Sequence, residues 1–140
     1  MYRFSMQILK PERPKEFKPY IGSEDQFQIS VAQFLDIKGL LWFHPANERK
    51  TKQYELKSGQ KISLEGIQLK KKGVKPGVSD NIILEPRKGF CGFIIEIKVG
   101  KNKATEAQLS FLEAAKRRGF KTLITWSLDE FIWEVENYLS

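Results

Sequence analysis

Cysteine and histidine are nearly absent, with one of each in 140 residues. Cys91 has no partner for an internal disulfide, and with His44 as its sole companion it does not make a structural zinc site. No apolar run approaches the roughly 18–20 residues that a bilayer span requires. The N-terminal stretch MYRFSMQILKPERPKEF lacks the uninterrupted apolar core of a signal peptide. Internal repeats and low-complexity tracts are missing too. Acidic residues are the scarcer sign, 17 against 24 Lys and Arg, for a formal charge of +7. What is present is 41% hydrophobic and 12% aromatic residues, enough for a packed core at single-domain length. The expectation is a soluble, intracellular (cytoplasmic) basic domain with a polyanionic partner. Charge alone leaves nucleic acid and an anionic membrane surface equally open.

The excess charge is concentrated. Between His44 and Lys75, nine basic residues (Arg49, Lys50, Lys52, Lys57, Lys61, Lys70, Lys71, Lys72, Lys75) face three acidic ones, a net of +6. The last twenty residues net −3. A middle segment of this kind is what a phosphate-facing surface requires, although a solvated lysine-rich loop has the same composition.

Residues 1–22 carry Pro11, Pro14 and Pro19 and no clear period, which reads as an irregular arm with a short strand at Tyr2–Leu9. Ser23-Glu24-Asp25-Gln26 is a capping-box signature, and Phe27, Val31, Phe34 and Leu35 follow at helical spacing up to Gly39. Leu40–His44 reads as a strand, Pro45–Gln60 as a polar loop, and Ile62–Lys72 as a helix stopped at Gly73. A turn-rich lead, Val74 to Asp80, enters the apolar run Ile82-Ile83-Leu84. Glu85–Gly92 must turn, and Phe93–Val99 is the strongest strand. Thr105-x-x-Gln108 caps a helix that ends at Gly119, Phe120–Trp126 is a strand, and Ser127-x-x-Glu130 caps a last helix. The order α-β-α-β-β-α-β-α predicts an α/β fold with a mixed sheet flanked by helices.

The chemistry concentrates in Phe93-Ile94-Ile95-Glu96-Ile97-Lys98-Val99. Alternation along a strand puts Glu96 and Lys98 on one face, and Phe93, Ile95, Ile97 and Val99 on the other. A carboxylate and an ammonium in mid-strand are costly unless solvated, paired or occupied by an ion. An ordinary surface salt bridge satisfies that condition as well. If the preceding turn is a hairpin centred on Lys88, Ile82 faces Ile94 and Asp80 faces Glu96. Two carboxylates so placed repel unless a cation lies between them, and hard oxygen ligands suit Mg²⁺ or Mn²⁺. A register slip of one residue would send Asp80 to the opposite face. Glu24, in the first turn of the first helix, is a third carboxylate on the side that meets the sheet. It is equally a partner for the helix dipole. Gln108 is at minimum the N3 member of its capping box.

Glu24, Asp80, Glu96-Ile97-Lys98 and Gln108, in that order, resemble the PD-(D/E)XK nuclease superfamily. More closely, Gly73-Val74-Lys75-x-Gly77-Val78-Ser79-Asp80, followed by Glu96-x-Lys98 and Gln108, resembles the VRR-NUC (virus-type replication–repair nuclease) family over residues 23–140. The family usually carries Pro before the aspartate, where this chain has Ser79. The resemblance implies a PD-(D/E)XK core and a metal-dependent DNA endonuclease. Asp80, Glu96 and the backbone carbonyl of Ile97 would hold Mg²⁺, with Mn²⁺ able to substitute, and Glu24 would complete the acidic site. Lys98 would orient or help deprotonate the attacking water, and Gln108 would position Lys98 or the nucleophile. Arg49, Lys50, Lys52, Lys70, Lys71, Lys72, Lys75, Lys101 and Lys103 would then contact DNA phosphates.

A chain this short leaves little room for a sequence-reading module. That favours branched DNA such as Holliday junctions or flaps, cut by a homodimer, and likens the chain to virus-encoded standalone domains acting in a bacterial host cytoplasm. The competing expectations are a catalytically inactive nucleic-acid-binding module on the same fold and a sequence-specific restriction or homing nuclease. A basic structural protein with a surface Glu-x-Lys pair is the third.

Overall fold

The computed structural model describes residues 10–45 and 53–140. The strand expected at Tyr2–Leu9 falls outside them. From Lys10 to Ser23 the arm is irregular. Helix α1 (Glu24–Ile37) starts on the full reciprocal capping box of Ser23 and Gln26 and buries Phe27, Val31 and Leu35. Strand β1 (Trp42–Phe43) is the short remainder of the run at Leu40–His44. A small antiparallel pair follows, β2 (Tyr54–Glu55) with β3 (Lys61–Ile62), then α2 (Leu64–Lys71). Strands β4 (Asn81–Ile83) and β5 (Phe93–Ile97), helix α3 (Glu106–Arg117), strand β6 (Lys121–Thr125) and helix α4 (Leu128–Leu139) complete the chain.

Two expectations need correction here. The segment Pro45–Gln60 is not loop throughout: its end pairs with Lys61–Ile62 across a turn in which Gly59 has φ +83°. The helix expected from Ile62 begins two residues later because Ser63 caps it, accepting from the Gly66 N–H, and Ile62 belongs to β3. The element order therefore carries an extra hairpin between the first strand and the second helix.

The main sheet has the order β1-β4-β5-β6, antiparallel except for the parallel β5–β6 pair, so it is mixed. Period-two alternation divides its side chains. Ile83, Phe93, Ile95 and Ile97 pack with Phe27, Val31 and Leu35 of α1 and Phe131, Val135 and Tyr138 of α4. Ile82 and Ile94 point the other way and pack with Leu112 and Ala115 of α3. The sheet is thus sandwiched, with α1 and α4 on one face and α3 on the other. Among the described residues, no helix is long and apolar enough to cross a membrane.

Ser127 caps α4 through the Glu130 N–H, but the Glu130 carboxylate is drawn away to Arg13, 2.7 Å distant. Arg13 also binds Glu134 at 2.9 Å and lies over the rings of Phe17 and Trp133. Burial alone would push the Glu134 carboxyl up, but hydrogen bonds from Arg13 and Lys121 outweigh it and hold it below the usual range. The arm is therefore fastened to the last helix. Arg13→Ala is expected to cost roughly 1–2 kcal/mol, above a lone surface pair because it ends two ion pairs and two ring contacts together. Urea unfolding at pH 7 measures it.

Candidate active site

The site is built where β4 and β5 pass the first turn of α3. The β4–β5 register is Asn81↔Ile95, Ile82↔Ile94 and Ile83↔Phe93, and one step further along it sets Asp80 across from Glu96. Both carboxylates lie on the α3 side of the sheet and are almost fully buried, Glu96 at 1% and Asp80 at 8% exposure. One Asp80 oxygen accepts from the Ile97 N–H at 2.9 Å. His44, at the end of β1, donates Nδ1–H to the Asp80 carbonyl at 2.5 Å and ties the residue to the edge strand.

Glu96 is held from one side only. Its Oε1 accepts from Gln108 Nε2 at 2.8 Å and lies 3.1 Å from Lys98 Nζ. Its Oε2 is buried with no partner, one of two such side-chain atoms among the described residues; the other is Ser79 Oγ. Lys98 is itself 7% exposed, so it is a buried ammonium and not a surface lysine. Gln108 carries out both tasks its position allows. Its amide oxygen closes the α3 capping box by accepting from the Thr105 N–H at 2.8 Å, while its amide nitrogen reaches Glu96. A helix cap thereby becomes a rigid mount for a site residue.

Burial, and then the facing Asp80 carboxylate, push the Glu96 carboxyl up to about 7 against the pull of Lys98. Between its ordinary value near 4.5 and about 7, the folded chain keeps a proton that the unfolded chain has lost. Metal-free stability must then fall as pH rises through that window and level off above it. A divalent cation replaces the proton, so its stabilising effect is larger at pH 8 than at pH 5.5. Thermal melts in EDTA or MnCl₂ at both pH values are expected to show this, with a metal-free difference on the order of 5 °C. An equal metal effect at both values would contradict the paired-carboxylate geometry.

Glu24 lies half-buried in the first turn of α1. One turn on, Gln28 exchanges two amide hydrogen bonds with the buried Asn81, the neighbour of Asp80, at 2.8 and 3.0 Å. That lock sets the end of α1 beside the site strand. Among the described residues, no group of three or more His, Cys, Asp or Glu is close enough to share a metal ion. The structure thus brings together Asp80, Glu96, Lys98 and Gln108, and it does not join Glu24 to the carboxylate pair in such a group.

A cleft of about 580 Å³ opens beside Asp80 and Gln108, between them and the β3–α2 segment, and Lys61, Lys70 and Lys75 line it. Lys71 and Lys72 are exposed at the end of α2, and Lys101 and Lys103 are exposed in the loop from β5 to α3. Arg49, Lys50 and Lys52 lie outside the described residues. Sequence reasoning missed two contributors, His44 as a tether for Asp80 and the Gln28–Asn81 lock, and it counted Lys61 only within the basic segment, not as a residue of the cleft. A polar Asn inside an apolar strand was the one signal available.

Gly77 fixes the approach to Asp80. Its φ is +76°, and a Cβ there would sit 2.4 Å from the Ala107 carbonyl carbon and oxygen and 2.8 Å from the Gln108 nitrogen. Backbone cannot yield as a flexible side chain does. Gly77→Ala is expected to push the loop off α3, destabilise by roughly 2 kcal/mol and lower any activity of the site at least tenfold. Chemical denaturation and activity measured on one preparation test both effects.

No protein-family model and no curated protein sequence matches this chain. A solved structure described as "VRR_NUC domain protein" does match, with a TM-score of 0.60 and 25% sequence identity, over 86% of this chain and 90% of the other. That likeness covers most of both chains and supports reading this one as a VRR-NUC domain.

Proposed function

We propose that this domain is a divalent-metal-dependent DNA endonuclease of the PD-(D/E)XK type. The observation that carries the reading is the unpartnered Glu96 Oε2, buried opposite Asp80, while Lys98 and Gln108 engage the other oxygen. A buried carboxylate oxygen with no donor, facing a second carboxylate, needs a cation or a proton. Mg²⁺ commonly takes one or two carboxylates and keeps several waters, so a two-carboxylate site fits it.

Asp80, Glu96 and the Ile97 carbonyl would hold Mg²⁺ or Mn²⁺, with Glu24 contributing through water from α1. When bound, the ion sharpens a water nucleophile and offsets phosphoryl charge. Gln108 and Lys98 fix the Glu96 carboxylate in one rotamer, with Oε2 left for the ion. The Lys98 ammonium, anchored beside Glu96, is placed to orient the attacking water and to offset charge on the phosphate as it becomes pentacoordinate. Lys61, Lys70 and Lys75 provide phosphate contacts along the cleft. Such contacts read charge and shape with little sequence information, which favours branched DNA over a base sequence. A homodimer acting on a two-fold junction belongs to the same proposal, and a monomeric mass by light scattering at micromolar concentration would remove it.

The test is cleavage of end-labelled single-strand, duplex, flap and four-way-junction DNA in Mg²⁺ or Mn²⁺. Cutting that disappears in EDTA is expected, and the substrate ranking reports the preferred structure. Salt-sensitive binding with no cutting in either metal would assign the chain to the non-catalytic binding module.

A further inference from the structure

No residue between 53 and 78 is buried, although this stretch supplies one wall of the cleft beside Asp80. Ile67 is 42% exposed on α2, and Leu69, Val74 and Val78 line the same cleft. A wall of aliphatic side chains bordered by Lys61, Lys70 and Lys75 does not match the outside of a duplex, which offers only phosphates and sugars. Apolar surface held against a phosphate backbone gains nothing and desolvates it.

Resting on the nuclease reading, we propose that this cleft receives a single unpaired nucleotide of the DNA strand next to the bond to be cut. Its base packs on Ile67, Leu69 and Val74, and its phosphates meet the cleft lysines. The volume of about 580 Å³ lies within the range of small-molecule sites and accommodates one nucleotide. The charges agree: cations line the wall, and Asp80, one of the two carboxylates that would hold the metal, lines the cleft as well. Proteins that take a base out of the stack hold it between aromatic or apolar side chains, and a base inserted here leaves the stack. Among the described residues, none of those lining the cleft is aromatic, so the base packs on aliphatic groups and does not stack on rings.

That last point makes the proposal measurable. The fluorescence of 2-aminopurine is quenched by stacking and recovers when the base is withdrawn into aliphatic surroundings. The full chain is titrated in Ca²⁺ onto DNA carrying 2-aminopurine either at an unpaired position beside a flap junction or at a paired position in duplex. Binding is expected to raise the signal at least about twofold for the unpaired probe and to leave the paired one unchanged. Ile67→Glu, an exposed substitution whose folding is checked by its melting curve, is expected to lose that rise. A bound complex with no rise, or the same rise in Ile67→Glu, overturns the proposal. Cleavage of the same DNAs in Mg²⁺ is followed in parallel. A fluorescence rise without cutting rejects the nuclease reading and keeps the nucleotide site, whereas cutting without a rise does the reverse.

Discussion

Glu96→Gln is expected to lower metal-dependent DNA cleavage at least about 10³-fold while raising the stability of the metal-free protein at pH 8. The two effects have one cause. Gln keeps the shape of the side chain, and its amide oxygen can still accept from Gln108 and Lys98, so the fold has no reason to fail. It removes the negative charge that Asp80 opposes and that burial disfavours, the same forces that push the Glu96 carboxyl up to about 7. Above that pH the wild type carries an uncompensated charge in its interior and the variant does not. The variant should therefore melt higher in EDTA at pH 8 and gain little from Mn²⁺, whereas the wild type gains markedly. Near neutral pH and below, the wild type protonates and the difference in EDTA closes. Cleavage retained in Glu96→Gln would reject the metal site outright. Cleavage lost together with the fold would show that Glu96 is a structural residue, which the melting curve distinguishes.

Lys98→Met is expected to slow cleavage by roughly 10²–10⁴ and to change DNA affinity no more than severalfold. The separation follows from burial: at 7% exposure Lys98 cannot serve as one of the phosphate-contacting surface lysines, so its loss should fall on the chemical step. Removing it also withdraws the ammonium that restrains Glu96, whose carboxyl then rises further, so a divalent metal stabilises the variant only at higher pH than the wild type. Lys98→Arg is not expected to rescue, because a planar guanidinium cannot occupy a space shaped for a compact ammonium 3.1 Å from Glu96 Oε1. Single-turnover rates at saturating protein, read beside binding isotherms, check the division. A large affinity loss at unchanged single-turnover rate would move Lys98 into the DNA interface.

The helices were legible because their signals are local. Ser23 and Gln26, and Thr105 and Gln108, form the reciprocal caps that their spacing announces. The face division of β5 was equally legible, since period-two alternation is a property of the chain and needs no partner. The β2–β3 hairpin was not, because Tyr54–Glu55 and Lys61–Ile62 show no alternation that separates them from loop. Glu130 illustrates the opposite failure. Its position announces a capping box, but Arg13, 117 residues away, competes for the carboxylate and wins it.

Register decided the site. The turn itself bridges Arg87 to Phe90, with Lys88 at φ +51°, and that pairing carried straight down the strands would set Asp80 against Ile97. A one-residue offset between that bridge and the Ile83↔Phe93 pair restores the centring on Lys88, so that Asp80 and Glu96 share a face. The chain thus states by itself that Glu96 and Lys98 lie together, that a cap presents Gln108, and that the middle segment is basic, because spacing and composition settle all three. Which carboxylate faces Glu96, which oxygen is left without a donor, and which lysines line the cleft are decided by pairings between segments distant in sequence, and those exist only once the sheet has closed.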